Sequence, residues 1–305
     1  MKKLLLLLFI LFLIPFANAQ DIKLNGTISA ENNQIKNVAN PTDAQDAVTK
    51  NYADTQFYTQ SEVDAMISSL QSQIDGLNAG NDTGTVTDQD GKSYDYITYG
   101  TQIWTVENAE MVTYRDGTPI PQVTDNTEWQ NLTTGAWCYY GNDSSKGKLY
   151  NWYAVMGIHD AASLTDASLR KAFAPEGWHV PTDAEWTTLE NYLITNGYNY
   201  DDTTTGNKIG KAMASTTRWN TSTYTGAIGN DQSRNNSSDF NAFPEGYRYN
   251  NGSFYDEGSD AIFWSSTENN SNDAWNRDLD NVNRNLLRYN FFNKRDGFSM
   301  RFVRD

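Results

Sequence analysis

Acid–base or nucleophilic chemistry in this 305-residue chain would rest on few side chains: one cysteine, Cys138, and two histidines, His159 and His179. Cys138 lies in the run Ala136-Trp137-Cys138-Tyr139-Tyr140, the setting of a buried, inert thiol. No spacing ties either histidine to it, and a cysteine nucleophile needs a neighbouring base or cation. The best acid–base set is His179 with Asp183 or Glu185. Those carboxylates fall where a helix start would use them, and no metal or nucleophile spacing accompanies them. Asp88-Gln89-Asp90-Gly91 opens like a calcium loop but lacks the later acidic ligands and the bidentate glutamate, so a tight turn is expected. The chain reads as having no catalytic residue, no metal site and no cofactor.

Recognition chemistry is better represented. Nine asparagines lie between Asn269 and Asn293, interleaved with Arg, Asp, Tyr and Phe. Strands disfavour Asn, yet this run sits between a strand-like Phe263 to Ser266 and a closing Gly297 to Val303. Strand alternation would turn Trp275, Arg277 and Leu279 inward and Asn276, Asp278 and Asp280 outward. With Asn283, Asn285, Arg288 and Asn290 these form the expected ligand-binding set, because amides, guanidinium groups and aromatic rings make an adaptable surface. A glycan or protein ligand on a surface is the expected partner. The alternative is that the asparagines reflect only an AT-rich genome.

Elements must position these groups. Thr182 can cap a helix opening after Pro181, and Glu185 stands three residues on, as in a capping box. Trp186, Leu189, Tyr192 and Leu193 then share one face. A second helix is expected around Tyr150 to Met156. Asp90-Gly91, Asp116-Gly117 and Asn251-Gly252 are hairpin-type dipeptides. Many short strands with two helices indicate an α+β fold. The abundant Trp and Tyr are expected to fill the core, with stacking on sugars as the alternative.

The ends and the composition bound the setting. Met1-Lys2-Lys3, an apolar run from Leu4 to Phe16 and Ala17-Asn18-Ala19 form a signal peptide, residues 1–19, cut before Gln20. The apolar run is shorter than the about 20 residues of a membrane span, and no later stretch is apolar enough to cross a bilayer. The protein is therefore expected to be exported, either secreted or held at the outer surface. The formal net charge is −15, and cleavage makes it more acidic, which disfavours nucleic acid. Residues 20–58 are polar. Residues 59–77 carry Val63, Ile67, Leu70, Ile74 and Leu77 at heptad spacing, a short coiled-coil neck or a helix lying against the next domain. Residues 78–84 read as a linker, and residues 85–305 as one domain.

Two resemblances add to this reading. Asn33 to Asp54, with Ile35, Asn37, Val38, Pro41, Asp46-Ala47-Val48, Lys50 and Tyr52, resembles a recurrent segment of phage tail fibres. It implies a trimeric stalk and a homo-oligomer through residues 20–77, whereas Ile at a with Leu at d leans towards dimers. Lys148 to Ala154, Pro175 to Trp186, Phe263 to Glu268 and Gly297 to Asp305 occur in order, and together resemble the Fibrobacter succinogenes major paralogous domain. The resemblance implies a C-type-lectin-like fold related to the formylglycine-generating sulfatase-modifying fold, with Trp152, Trp178, Pro181, Trp186, Trp264 and Phe298 as its structural motif.

The departures limit what carries over. Where such domains often place a cysteine pair, this chain has Ala174 and Phe302, which implies a disulfide replaced by packing. The copper-binding cysteines of formylglycine-generating enzymes have no counterpart. Of the sugar-binding triplets of calcium-dependent lectins only Trp275-Asn276-Arg277-Asp278 is present. The resulting expectation is a bacterial surface or secreted binding and adhesion protein, not an enzyme. Residues 264–305 also resemble the variable cassette of diversity-generating retroelements, which gives one alternative; a structural envelope protein without a specific ligand is another.

Overall fold

The computed structural model describes residues 58–79 and 83–305. The expected signal peptide, all of the tail-fibre-like segment but Tyr58, and linker residues 80–82 lie outside the described residues. The chain divides into two units, Met1–Ser68 and Ser69–Asp305.

Helix α1 (Gln60–Ala79) opens in the first unit and runs two residues past the expected end at 77. Its start is a capping box. The Thr59 N–H donates to Glu62 Oε2 at 2.7 Å, and the Glu62 N–H returns to Thr59 Oγ1 at 3.3 Å. Val63 is half-buried, and Ile67 and Leu70 are exposed; the side chains at 74 and 77 lie outside the described ones. No described helix is long and apolar enough to cross a membrane.

The second unit is α+β with antiparallel strand pairs. Strands β1 (Gly84–Thr87), β2 (Ser93–Tyr99), β3 (Gln102–Thr105), β6 (Trp178–His179) and β12 (Val303–Arg304) form one sheet, ordered β1-β2-β3-β12-β6. The last strand thus closes beside one of the first. The β1–β2 turn spends the Asp88 carboxylate on the N–H groups of Asp90 and Lys92 and the Tyr94 hydroxyl. Gly91, Gly117 and Gly252 all adopt the positive φ that their expected turns require.

A second sheet, β11-β10-β9, contains β9 (Asp260–Glu268), β10 (Asp273–Asp280) and β11 (Leu287–Asn293). Strands β4 (Trp137–Tyr139) and β5 (Lys148–Tyr150) form one two-stranded pair, and β7 (Tyr247–Arg248) and β8 (Phe254–Tyr255) another. Two helices were expected in this domain; five are present among the described residues. Helix α5 (Asp183–Thr195) has the expected Thr182–Glu185 capping box and buries Trp186, Leu189 and Leu193. Helix α3 (Trp152–Val155) is the core of the second expected helix. The additional helices are single turns: α2 (Asn126–Gln130), α4 (Ala161–Thr165) and α6 (Gly210–Met213). Asp125 and Asp160 cap the first two of these.

Eight of the nine tryptophans are buried and Trp275 is half-buried, so the aromatic content is chiefly core. The Trp152 and Trp264 indole N–H groups donate to the carbonyls of Ser265 and Tyr150 at 2.9 and 3.0 Å. Trp264 packs tilted against Phe298 with ring centroids 4.2 Å apart, and the Trp186 and Trp104 centroids lie 4.6 Å apart. Trp178 and Pro181 are also buried. Ala174 and Phe302 lie in one apolar cluster. Burial pushes the Cys138 thiol up to about 11, so it is an unreactive core residue at neutral pH.

The structure corrects the expected alternation in β10. Asn276 is 0 % exposed and Asp278 5 %, as buried as Arg277 and Leu279 at 0 %. Ile262, Trp264 and Ala274 belong to one apolar cluster, while Ala261, Phe263 and Leu279 belong to another. The β9–β10 pair therefore lies between two cores, and neither face of β10 is left to solvent.

Candidate ligand-binding cleft

The acid–base set read from the sequence is a clamp. His179 Nδ1 lies 2.7 Å from Asp305 Oδ1, and its Nε2 lies 2.7 Å from Glu185 Oε1. Both ring nitrogens face acceptors, so the arrangement favours the imidazolium; the bond to Glu185 raises the histidine above its ordinary range. Glu185 Oε2 meanwhile accepts the Thr182 N–H at 2.7 Å. An imidazolium held this way has no lone pair with which to act as a base. Asp183 is spent similarly. Its Oδ1 accepts from buried Arg277 at 2.6 Å, and Arg288 reaches both of its oxygens at 2.9 and 2.6 Å. Burial opposes ionisation of Asp183, but the bonds to Arg288 and Arg277 hold it below the usual carboxylate range.

The residues expected to bind ligand do not share one surface. The Asn276 side-chain amide is buried without a hydrogen-bond partner among the described residues. Asp278 is buried, and burial followed by repulsion from Asp260, Asp280 and Asp256 pushes it well above its usual range. Asp280 is half-buried and accepts the Val282 N–H at 3.0 Å. Arg288 is exposed but lies over the Trp275 ring at 3.7 Å and is tied to Asp183. Asn290 pairs with the hairpin residue Asn269, whose side chain donates to its carbonyl at 2.8 Å. Asn285 and Asn283 are half-buried in the turn after β10. That turn docks elsewhere: the Ile228 N–H donates to the Asn283 carbonyl at 2.9 Å, and the Gly210 N–H to the Arg284 carbonyl at 2.8 Å.

The turn leads to a cleft that no motif announced. Helix α5 ends at Thr195 with Asn196 as its C-cap, and Gly197 follows with φ 80°. The Gly197 N–H bonds the Ile194 carbonyl and the Tyr198 N–H bonds the Leu193 carbonyl, the two bonds of a Schellman stop. This stop sets Tyr198 on the rim. Asn199 then staples the following loop: its Nδ2 donates to the carbonyls of Thr203 and Gly206, and its Oδ1 accepts the Lys208 N–H at 2.9 Å. Tyr200 lies against Gly226 so closely that a Cβ there would sit 2.4 Å from the ring. Only glycine allows the two walls to approach in this way.

The opposite wall is fastened from below. Lys211 of α6 is buried, and its ammonium donates to the carbonyls of Ala227, Asn230 and Asp231. Asn235 adds bonds to the Ser215 and Ile228 carbonyls. Between the walls is a cleft of about 460 Å³, rimmed by Asn196, Tyr198, Tyr200, Asp202, Asp231 and Arg234. A smaller hollow shares Thr225 with it and is lined by Tyr224, Val282, Asn283 and Arg284. Arg284 donates to the Tyr200 hydroxyl at 3.4 Å. Thus Asn283 is the one expected ligand residue that the fold brings to this region. The larger cleft falls within the roughly 300–1,000 Å³ typical of small-molecule sites. No group of three His, Cys, Asp or Glu side chains among the described residues is placed to hold a metal ion.

Residues 97–304 match the family model described as the Fibrobacter succinogenes major domain. The chain belongs to this family. No curated protein matches it, and no solved structure does. In this Fibrobacter succinogenes major domain the matched span encloses His179 and Glu185 of the clamp and both walls of the cleft, and Asp305 follows one residue past it. The clamp spends its charged groups on one another. The cleft presents rings, amides and charges to solvent, an arrangement suited to holding a polar ligand. Beyond Gly197 ahead of Tyr198 and Tyr200 no local signal marks the cleft, because its walls meet at Gly226, about thirty residues on.

Proposed function

We propose that the chain is an exported surface or secreted binding protein whose C-terminal domain, of the expected lectin-like type, captures a polar ligand in the Tyr198–Arg234 cleft. The observation that carries this reading is the cleft's construction. Buried Asn199, Lys211 and Asn235 are consumed in fixing its walls, while among the described residues the rim carboxylate of Asp202 and guanidinium of Arg234 have no partner. Preorganised walls with uncommitted polar groups lower the ordering cost of binding. The clamp at His179 leaves no free general base there, which supports binding without turnover.

The test is retention of the purified mature chain, residues 20–305, on glycan and peptide panels. Tyr198→Ala is expected to weaken any captured ligand about tenfold, within the range for losing one ring contact, and, because Tyr198 also packs against the second apolar cluster, to lower the thermal midpoint by a few degrees with the chain still folded. Retention that Tyr198→Ala leaves untouched would place binding elsewhere.

Export and oligomerisation belong to the same proposal. The sequence of residues 1–19 supports the first. Exposed Ile67 and Leu70 at heptad spacing support a neck made with further copies of the chain. Native mass spectrometry of the secreted protein is expected to show Gln20 as the first residue and three copies. A monomer, or a chain retaining residues 1–19, would remove the corresponding part.

A further inference from the structure

We infer that the ligand of this cleft is an acidic sugar chain whose carboxylate is gripped by Arg234. The inference rests on the binding reading above and names the ligand class.

Arg234 stands apart from the other arginines. Its side chain makes no hydrogen bond and no ion pair among the described residues, whereas every other arginine of the chain has a partner. The contrast matters because the chain holds 38 acidic and 23 basic residues. Carboxylates are in excess, yet none closes on this exposed guanidinium. A guanidinium presents a planar fork that matches a carboxylate bidentately. The other cation of the cleft, Lys211, is already committed to three backbone carbonyls of the wall. Arg234 is therefore the group left to meet an anion.

The rest of the lining suits a sugar better than a peptide. Tyr198 and Tyr200 border the cleft, and tyrosine combines an apolar ring face with a polar tip. Sugar hydroxyls are donors as well as acceptors, and Asp202 supplies a carboxylate with no partner among the described residues. Asn196 uses its amide N–H on the Tyr192 carbonyl, which leaves its oxygen to accept. Ala212 is the only aliphatic side chain in the lining, so peptide side chains would find almost no apolar seat. The adjoining hollow carries Arg284, a second guanidinium beyond Thr225. An oligomer with a carboxylate on successive units could meet both.

The mature full-length chain would be titrated with an oligogalacturonate, with its methyl-esterified neutral counterpart of equal length, and with an oligoglutamate peptide. The uronate is expected to bind at least about tenfold more tightly than the ester, the usual scale for a charge-assisted hydrogen bond. Arg234→Gln should abolish that difference, Arg234→Lys should restore part of it, and added salt should weaken the uronate more than the ester. The thermal midpoint of Arg234→Gln should match the wild type, showing that the fold is intact. If uronate and ester bind equally and both are lost in Tyr198→Ala, the acidic-sugar inference fails and the cleft reading stands. Capture of the glutamate peptide through Arg234, without the uronate, overturns the sugar class. Failure of all three probes overturns the inference, while a different ligand sensitive to Tyr198→Ala would still uphold the cleft.

Discussion

The two faces of β10 carry charge under the same burial but opposite conditions. On one face Arg277 meets the Asp183 side chain at 2.6 Å, the Asp183 carbonyl at 3.1 Å and the Thr187 hydroxyl at 3.0 Å. On the other, register pairs Asp280 with Asp260 and places Asp278 two residues along, and none of the three makes an ion pair among the described residues. Burial, then Asp256 and Asp280, push the Asp260 carboxyl up to about 7. A buried cation with its carboxylate ties the strand to α5. Buried acids without a cation are accommodated by keeping protons, which costs stability as pH rises. Burial of a charged residue therefore does not reveal whether it stabilises the fold; its partners do.

The largest way to break this comparison is Arg277→Ala. It removes the buried half of the Asp183 pair and leaves a cavity, so a loss of about 3 kcal/mol is expected. At ~2–4 °C per kcal/mol for a domain of this size, the thermal midpoint should fall by about 10 °C. An unchanged melt would show that the Arg277 face does not hold the strand.

On the other face the sign reverses. A carboxyl whose folded pKa lies above its unfolded value of 3.8 stabilises the fold fully at acid pH. That contribution is lost as pH rises from about 4 towards 7. Asp260→Asn should therefore match the wild type near about pH 4 and melt on the order of 5 °C higher near about pH 8. A difference that does not vary with pH would mean that Asp260 is not held protonated. The smallest effect sharpens the contrast: Arg234, exposed and unpaired, should leave stability within about 0.5 kcal/mol when replaced by glutamine, while changing what the cleft binds.

Much of the scaffold was legible because its signals are local. The Thr182–Glu185 capping box, the stop of α5 and the turns at Gly91, Gly117 and Gly252 are each set within a few residues. The motif tryptophans Trp152, Trp178, Trp186 and Trp264 are buried. The candidate site was largely illegible. Period-two alternation places residues on faces, but cannot say whether a second core covers the far face, as it does under Asn276 and Asp278. A run of asparagines close in sequence was distributed among a sheet interior, a hairpin and the hollow beside the cleft.

What the sequence by itself determined was family membership in its motifs, the α+β class, the capped helix and a heptad pattern before the domain. Only the tertiary structure decided which polar groups are spent and which remain available. His179 and Asp183, the best acid–base candidates, and Arg288, expected to bind ligand, are paired; Arg234 carried no motif and is left without a partner among the described residues. The physical reason is that hydrogen bonds and ion pairs are satisfied across distances that sequence spacing does not encode. Arg277 reaches Asp183 over 94 positions, and Asp305 reaches His179 over 126.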